Sequence, residues 1–207
     1  NNLLKVSPEE FLTKEYEVPV VCQIGPQHYV RHLDGRPFDF NNFVYHPEDY
    51  RSDFKKYTRV TDVLIAAHFW DPRSPVFFTR EDVEKPDFRI SVIADISCDI
   101  DGPIPTTLRA TSIADPFYSY NKTKHREEEA FSHPDNIAVM SIDNLPGELP
   151  RDASSDFGKQ LIEHVLPDLF LGNQSSMIQR ATITAGGRLE PQYQYLSEWA
   201  IPEEKVL

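Results

Sequence analysis

Two short apolar runs constrain this chain more than any other feature. Residues 62–67 read Asp-Val-Leu-Ile-Ala-Ala, and residues 90–94 read Ile-Ser-Val-Ile-Ala. Each is too short for a buried helix and lacks strict alternation of polar and apolar residues. Both therefore suit strands covered on both faces of a parallel sheet. Between them, Thr79-Arg80-Glu81-Asp82-Val83 reads as a short capped helix. Strand, helix and strand within ~30 residues form a crossover unit, and a crossover makes the two strands parallel.

Two further runs join this pattern. Residues 18–24 and 138–142 are rich in β-branched and other apolar residues, so the predicted parallel sheet contains 18–24, 62–67, 90–94 and 138–142. Ser7-Pro8-Glu9-Glu10 carries a capping serine, a proline for the first turn and a glutamate three residues on, which predicts a helix over 8–14. His46-Pro47-Glu48-Asp49 predicts a second helix start, with Tyr50, Phe54 and Tyr57 facing the core. Residues 107–113 have strand composition, 118–121 read as a break, and 122–129 as a solvated loop or hairpin tip. The longest helix is predicted over 154–170, with Phe157, Leu161, Val165 and Leu169 in one stripe and Pro167 disturbing its last turn. A strand near 181–184, a Gly186-Gly187 turn and a helix over 191–199 close the chain.

Composition removes several function classes. A net charge of −12 leaves no basic face for nucleic acid. No apolar run approaches the ~20 residues of a membrane span, and the first ten residues have no secretory pattern. Two cysteines, Cys22 and Cys98, make neither a disulfide framework nor a zinc cluster, and point to a reduced, cytoplasmic setting. His28 and His32 have the i, i+4 spacing of helical metal ligands, but Gly, Pro and Asp surround them and no third ligand is evident. No metal site is expected.

The chemistry concentrates at strand ends. After residues 90–94 come Asp95, Ser97, Asp99 and Asp101, followed by the Gly102-Pro103 turn. Two other strands end in His68-Phe69-Trp70 and Asp143-Asn144-Leu145. If the strands are parallel neighbours, all three ends share the edge where open α/β sheets bind ligands. The rival reading is a set of acidic, solvated turns. Cys98 with His68 as base is a further pairing, against which stands the usual role of such a cysteine as a small packing residue.

Four strings of residues resemble a known family: Ala94–Asp99 (ADISCD), Gly102–Pro105 (GPIP), Ser141–Ser154 (SIDNLPGELPRDAS) and the TREDV helix. The chain resembles lysine–2-oxoglutarate reductases and lysine-forming saccharopine dehydrogenases, within the alanine dehydrogenase/transhydrogenase group. The resemblance runs from the VSPEEF helix to the QYLSEWA helix. It implies an oxidoreductase using NAD or NADP, with saccharopine, or lysine and 2-oxoglutarate, as small-molecule substrate. Phe69, Ile96, Ile142, Asp143, Asn144 and Leu145 match cofactor-lining positions, and Ser97, Cys98 and Asp99 match the loop that meets the amino-acid substrate. Cys98 stands where the family usually has a smaller residue.

The family's glycine-rich fingerprint and acid/base pair match nothing here: eight glycines occur, yet no G-x-G. No catalytic residue is therefore assigned. The resemblance implies a partial Rossmann-like, three-layer α/β fold in which 1–150 form the C-terminal half of an NAD(P)-binding domain. Residues 151–207 are then a closing helix and a segment returning to the substrate domain. On this reading the chain is a C-terminal fragment, inactive alone, and self-associates through an exposed sheet edge. The alternatives are an alanine-dehydrogenase-like enzyme and a non-catalytic binding module.

Overall fold

A computed structural model describes residues 3–170 and 175–200. The chain divides into two compact units, 1–145 and 146–207. The first opens with β1 (Leu4–Val6), α1 (Pro8–Thr13) and β2 (Val20–Cys22). The Ser7 capping box forms as predicted: the Glu10 N–H donates to Ser7 Oγ, and the Ser7 N–H donates back to the Glu10 carboxylate. Next come α2 (Pro26–Tyr29), β3 (Val30–His32), α3 (Phe40–Tyr45), β4 (Tyr50–Ser52) and α4 (Lys55–Thr58). The main sheet is built from β5 (Val63–Ala66), β6 (Val92–Asp95), β7 (Tyr118–Asn121), β8 (Arg126–Glu128) and β9 (Ile137–Met140), with α5 (Arg80–Val83) between β5 and β6.

Sheet order is β5-β6-β9-β7-β8. β5, β6 and β9 are parallel neighbours, with Val63 beside Val92 and Val92 beside Ala138. The fold is thus α/β with a partial Rossmann-like arrangement, and the predicted βαβ unit is present. Ile93, Ile137 and Val139 are fully buried within it, and Ile90 just ahead of β6 is buried with them.

The structure corrects the predicted sheet in three places. Residues 18–24 lie outside it, because among the described residues β2 pairs only with β1, in a separate parallel ribbon. Residues 107–113 form no strand: Thr107 and Thr111 spend their hydroxyls on Asp95 and on the Ser141 N–H, leaving one bridge between Thr111 and Ile142. The expected break at 118–121 is β7, which runs antiparallel to β9 and makes the sheet mixed. Tyr118 and Tyr120 are buried there because their hydroxyls are satisfied, by the Thr106 C=O at 2.7 Å and by His125 Nδ1 at 2.9 Å. Residues 122–129 then form the tip and second strand of the β7–β8 hairpin.

Two helix expectations also change. The helix expected from His46 is a single 3-10 turn, Pro47–Asp49, followed by β4 and α4, yet Tyr50, Phe54 and Tyr57 are all buried. In the second unit the long helix starts at Pro150, earlier than predicted, and is π-helical over Leu161–Val165. Pro167 has no N–H to donate and its ring crowds the preceding turn, which accounts for the widened turn just before it. Phe157 and Leu169 of the predicted stripe are exposed, while Leu161 and Val165 are half-buried. The closing residues form the hairpin Thr184–Ala185 with Arg188–Leu189, then a 3-10 turn over Pro191–Leu196 and the helix Ser197–Ala200. Gly186 and Gly187 sit at φ +56° and +76°, the left-handed pair that a two-residue hairpin turn requires.

Candidate functional site at the strand ends

Because β5, β6 and β9 are parallel, their C-terminal ends share one edge. Residues 96–99 follow β6 and 142–145 follow shortly after β9, beside the His68-Phe69-Trp70 end of β5. The Ile96 and Ser97 N–H groups both donate to the Ala66 C=O, at 2.8 and 3.3 Å, which aligns the first two ends.

Asp95 organises this edge. It is fully buried, and its carboxylate accepts from the Ser97 N–H at 3.1 Å, the Ser97 hydroxyl at 2.5 Å, the Cys98 N–H at 3.2 Å and the Thr107 hydroxyl at 2.7 Å. Four donors satisfy a buried charge that would otherwise be prohibitive. They also tie the loop after β6 to the segment after the GPIP turn.

The loop is bent tightly. Cys98 and Asp101 adopt φ +53° and +55°, a left-handed conformation held only where the surroundings enforce it. For Cys98 the enforcement comes from both ends, since its N–H goes to Asp95 and its thiol donates to the Ser141 C=O at 3.1 Å. Gly102 is required by space: a Cβ there would stand 2.6 Å from Asp99 Cβ and 2.7 Å from the Asp99 carbonyl oxygen. Its N–H donates to that carbonyl at 3.0 Å.

Ser141 joins the third strand end to the other two. It is fully buried, its hydroxyl donates to the Arg109 C=O at 2.6 Å, and its N–H donates to Thr111 Oγ1 at 3.1 Å. Ser97, Cys98 and the Ile142-Asp143-Asn144-Leu145 string are thereby brought together. Ile142 is buried, Leu145 half-buried, and Asp143 and Asn144 exposed. Phe69 is 92% exposed and Ile96 42% exposed, so two apolar side chains stand open at this edge.

The electrostatics limit what the edge can do. Burial raises the Cys98 thiol above its ordinary range, and the carboxylates of Asp95, Asp143 and Asp99 raise it further. Burial also lowers His68, against the opposing pull of Asp95 and Asp99. A protonated thiol already donating to a carbonyl, and an imidazole with no hydrogen bond to it among the described residues, are not a nucleophile–base pair. His28 and His32 accept main-chain N–H groups at 2.9 and 3.1 Å, and no metal-binding cluster occurs among the described residues. Asp95 belongs to the acidic run that the sequence places at the end of this strand, whereas the hydrogen bonds that join Thr107 and Ser141 to the edge follow from no local spacing.

No family model matches the chain. Individual proteins do. The chain is 30% identical over 205 residues to the alpha-aminoadipic semialdehyde synthase of Arabidopsis thaliana, an alignment covering 92% of the chain and 19% of that protein. It is 29% identical to the mitochondrial alpha-aminoadipic semialdehyde synthase of Rattus norvegicus, over 86% of the chain and 22% of that protein. Homologues of this kind thus cover most of the chain at about 30% identity. A shorter match, 30% identical over 115 residues, reaches the NAD(+), L-lysine-forming saccharopine dehydrogenase of Schizosaccharomyces pombe, covering 53% of the chain and 29% of that enzyme. The chain therefore spans about a fifth of the length of its semialdehyde synthase relatives. No helix among the described residues is long and apolar enough to cross a membrane.

Proposed function

We propose that this chain supplies part of the NAD(P)-binding domain of an oxidoreductase that acts on saccharopine, forming it from lysine and 2-oxoglutarate or running the reverse. On this reading residues 1–150 are the second half of the nucleotide-binding domain, and 151–207 return toward the substrate domain. The observation that supports it best is the common edge of β5, β6 and β9, where Ala94–Asp99 and the start of the Ser141–Ser154 string, both similar to the family, meet through the Cys98–Ser141 hydrogen bond.

The cofactor's fit rests on what this edge offers. Phe69 and Ile96 present apolar surface to a flat ring, and Asp143 and Asn144 are exposed at the same edge, with the Asp143 carboxylate as the polar group that fixes their loop against the cofactor. When bound, NAD or NADP supplies the hydride acceptor or donor. The chain's own residues orient it and the substrate. Ser97 is committed to Asp95, and the Cys98 thiol to Ser141, so both shape the loop. The Asp99 carboxylate is half-buried and is assigned the ammonium group of the amino-acid substrate. Both cysteines are free, which suits a reducing compartment such as the cytoplasm, whereas the rat relative is named mitochondrial.

The test is calorimetric titration of NAD(H) and NADP(H) into a polypeptide of family length, with and without Asp143→Ala. Loss of one hydrogen-bonding group at a desolvated contact weakens binding by roughly 5- to 150-fold. The variant's melting temperature should stay unchanged. Equal affinity in both proteins returns Asp143 to a turn role, and no dinucleotide binding by either overturns the reading.

A further inference from the structure

The β3–β4 ribbon and the segment joining its strands take no part in the strand-end edge. The two strands are antiparallel, with His32 opposite Tyr50. Beyond His32 the chain turns at Gly35, whose N–H donates to the His32 C=O at 3.0 Å. It enters α3 through Asp39, which caps the helix by accepting the Asn42 N–H at 2.7 Å. The Tyr50 hydroxyl donates to the Asp39 C=O at 3.1 Å and ties the start of α3 back to β4. His32, Arg36, Pro37, Asp39, Asn42 and Tyr50 together line a cavity of about 430 Å³. Small-molecule sites are roughly 300–1,000 Å³.

Two polar atoms of this lining are left without partners. His32 is 5% exposed, and its Nδ1 accepts the Asp34 N–H at 3.1 Å. A ring nitrogen that accepts carries no hydrogen, so the hydrogen sits on Nε2. Nε2 is sealed from solvent and has no acceptor among the described residues, and the buried Asn42 Oδ1 likewise has no donor. An unmet donor and an unmet acceptor each cost free energy until an occupant supplies their partners. The charges divide in the same way. Arg36 gives one N–H to the exposed Asp34 carboxylate at 3.2 Å, and its other guanidinium donors meet no acceptor among the described residues. The Asp39 carboxylate accepts, among the described residues, only from the Asn42 N–H.

We infer that this cavity binds a free α-amino acid in its zwitterionic form. The carboxylate of the ligand accepts from Arg36 and from His32 Nε2, and its ammonium group donates to Asn42 Oδ1 and the Asp39 carboxylate. Its side chain lies on Pro37 and the Tyr50 ring, which suits an aliphatic one. A simple anion would leave Asn42 and Asp39 unmet, and a simple cation would leave His32 and Arg36 unmet. Water answers the hydrogen bonds but neither charge. None of the six lining residues is assigned to cofactor or substrate, so the inference stands apart from that reading.

The experiment titrates L-leucine into the isotope-labelled 207-residue chain and follows the His32 ring nitrogens and the Asn42 side-chain amide by NMR. Both should shift saturably, and the melting temperature should rise with ligand concentration. N-acetyl-L-leucine lacks the ammonium group and L-leucinamide lacks the carboxylate. Each should bind roughly tenfold more weakly or worse. Arg36→Gln and Asp39→Asn should each weaken L-leucine to a similar degree, with melting unchanged in the absence of ligand. Arg36 pairs only with an exposed carboxylate, and asparagine caps a helix as well as aspartate does. No saturable shift below about 20 mM overturns the inference. Equal affinity for either half-ligand, or parent-like affinity in either variant, also overturns it. So do shifts confined to Ser97–Asp99, which place the amino acid in the substrate loop and leave the cofactor reading standing.

Discussion

The Thr107 hydroxyl donates to the Asp95 carboxylate at 2.7 Å, with both residues sealed from solvent. One hydrogen bond thus closes a loop that leaves β6 and returns after the GPIP turn. Thr107→Val keeps the shape and removes the donor, leaving a buried carboxylate short of one partner. Its cost should be about 1.5–3 kcal/mol. Asp95→Ala strands four donors at once and should cost more. Urea unfolding of both variants measures this, and a Thr107→Val protein as stable as the parent would show that Asp95 does not need this bond.

Gly102 is set by contact rather than by φ. Its missing Cβ leaves room for Asp99 Cβ and the Asp99 carbonyl, 2.6 and 2.7 Å from where that atom would lie. Gly102→Ala forces the turn apart, with an expected loss of about 1–3 kcal/mol. Thermal melting reads the loss. The Cys98 amide resonance should move as well, because the same turn holds it.

Asp82 sets a pH dependence. Burial alone would raise its carboxyl, but hydrogen bonds from Lys85, Lys55 and the Thr79 N–H outweigh that and take it from 3.8 to about 2. The native form therefore holds its proton less tightly than the unfolded chain does. The stability this contributes is complete above about pH 4 and is lost as pH falls toward 2. Lys55 and Lys85 are half-exposed, so the contribution is on the order of 1 kcal/mol. Stability curves from pH 2 to 6 should be less steep at the acid end in Asp82→Asn than in the parent.

Both thiols should react slowly. Burial raises Cys22, and burial with three neighbouring carboxylates raises Cys98, so each is less ionised than an ordinary thiol below pH 9. Disulfide-exchange reagents should modify the native chain more slowly than the urea-unfolded chain at every pH from 7 to 9. Fast native modification of Cys98 would contradict the protonated thiol described here.

Much of the parallel core was legible because its signals are local. Residues 63–67 and 92–94 are apolar on successive residues, and the Thr79 and Ser7 caps have their acids at the right spacing. Such features act through neighbours in the chain and survive into the structure. β7 was illegible for the opposite reason. Tyr118-Ser119-Tyr120-Asn121 looks polar, and its burial depends on partners at Thr106 and His125 that no local rule pairs with it.

By itself, the sequence determined that β5, β6 and β9 are parallel strands, and that acidic and hydroxyl residues gather where β6 ends. It did not determine that β5, expected to be covered on both faces, leaves Val63 and Ile65 exposed. Apolar periodicity and capping act over a few residues, so they can be read along the chain. Only the tertiary structure decided that β2 leaves the sheet, that a hairpin completes it, and that Asp95 faces inward to four donors. Each of these outcomes depends on contacts between residues distant in the chain, and a buried carboxylate is tolerated only after those partners are in place.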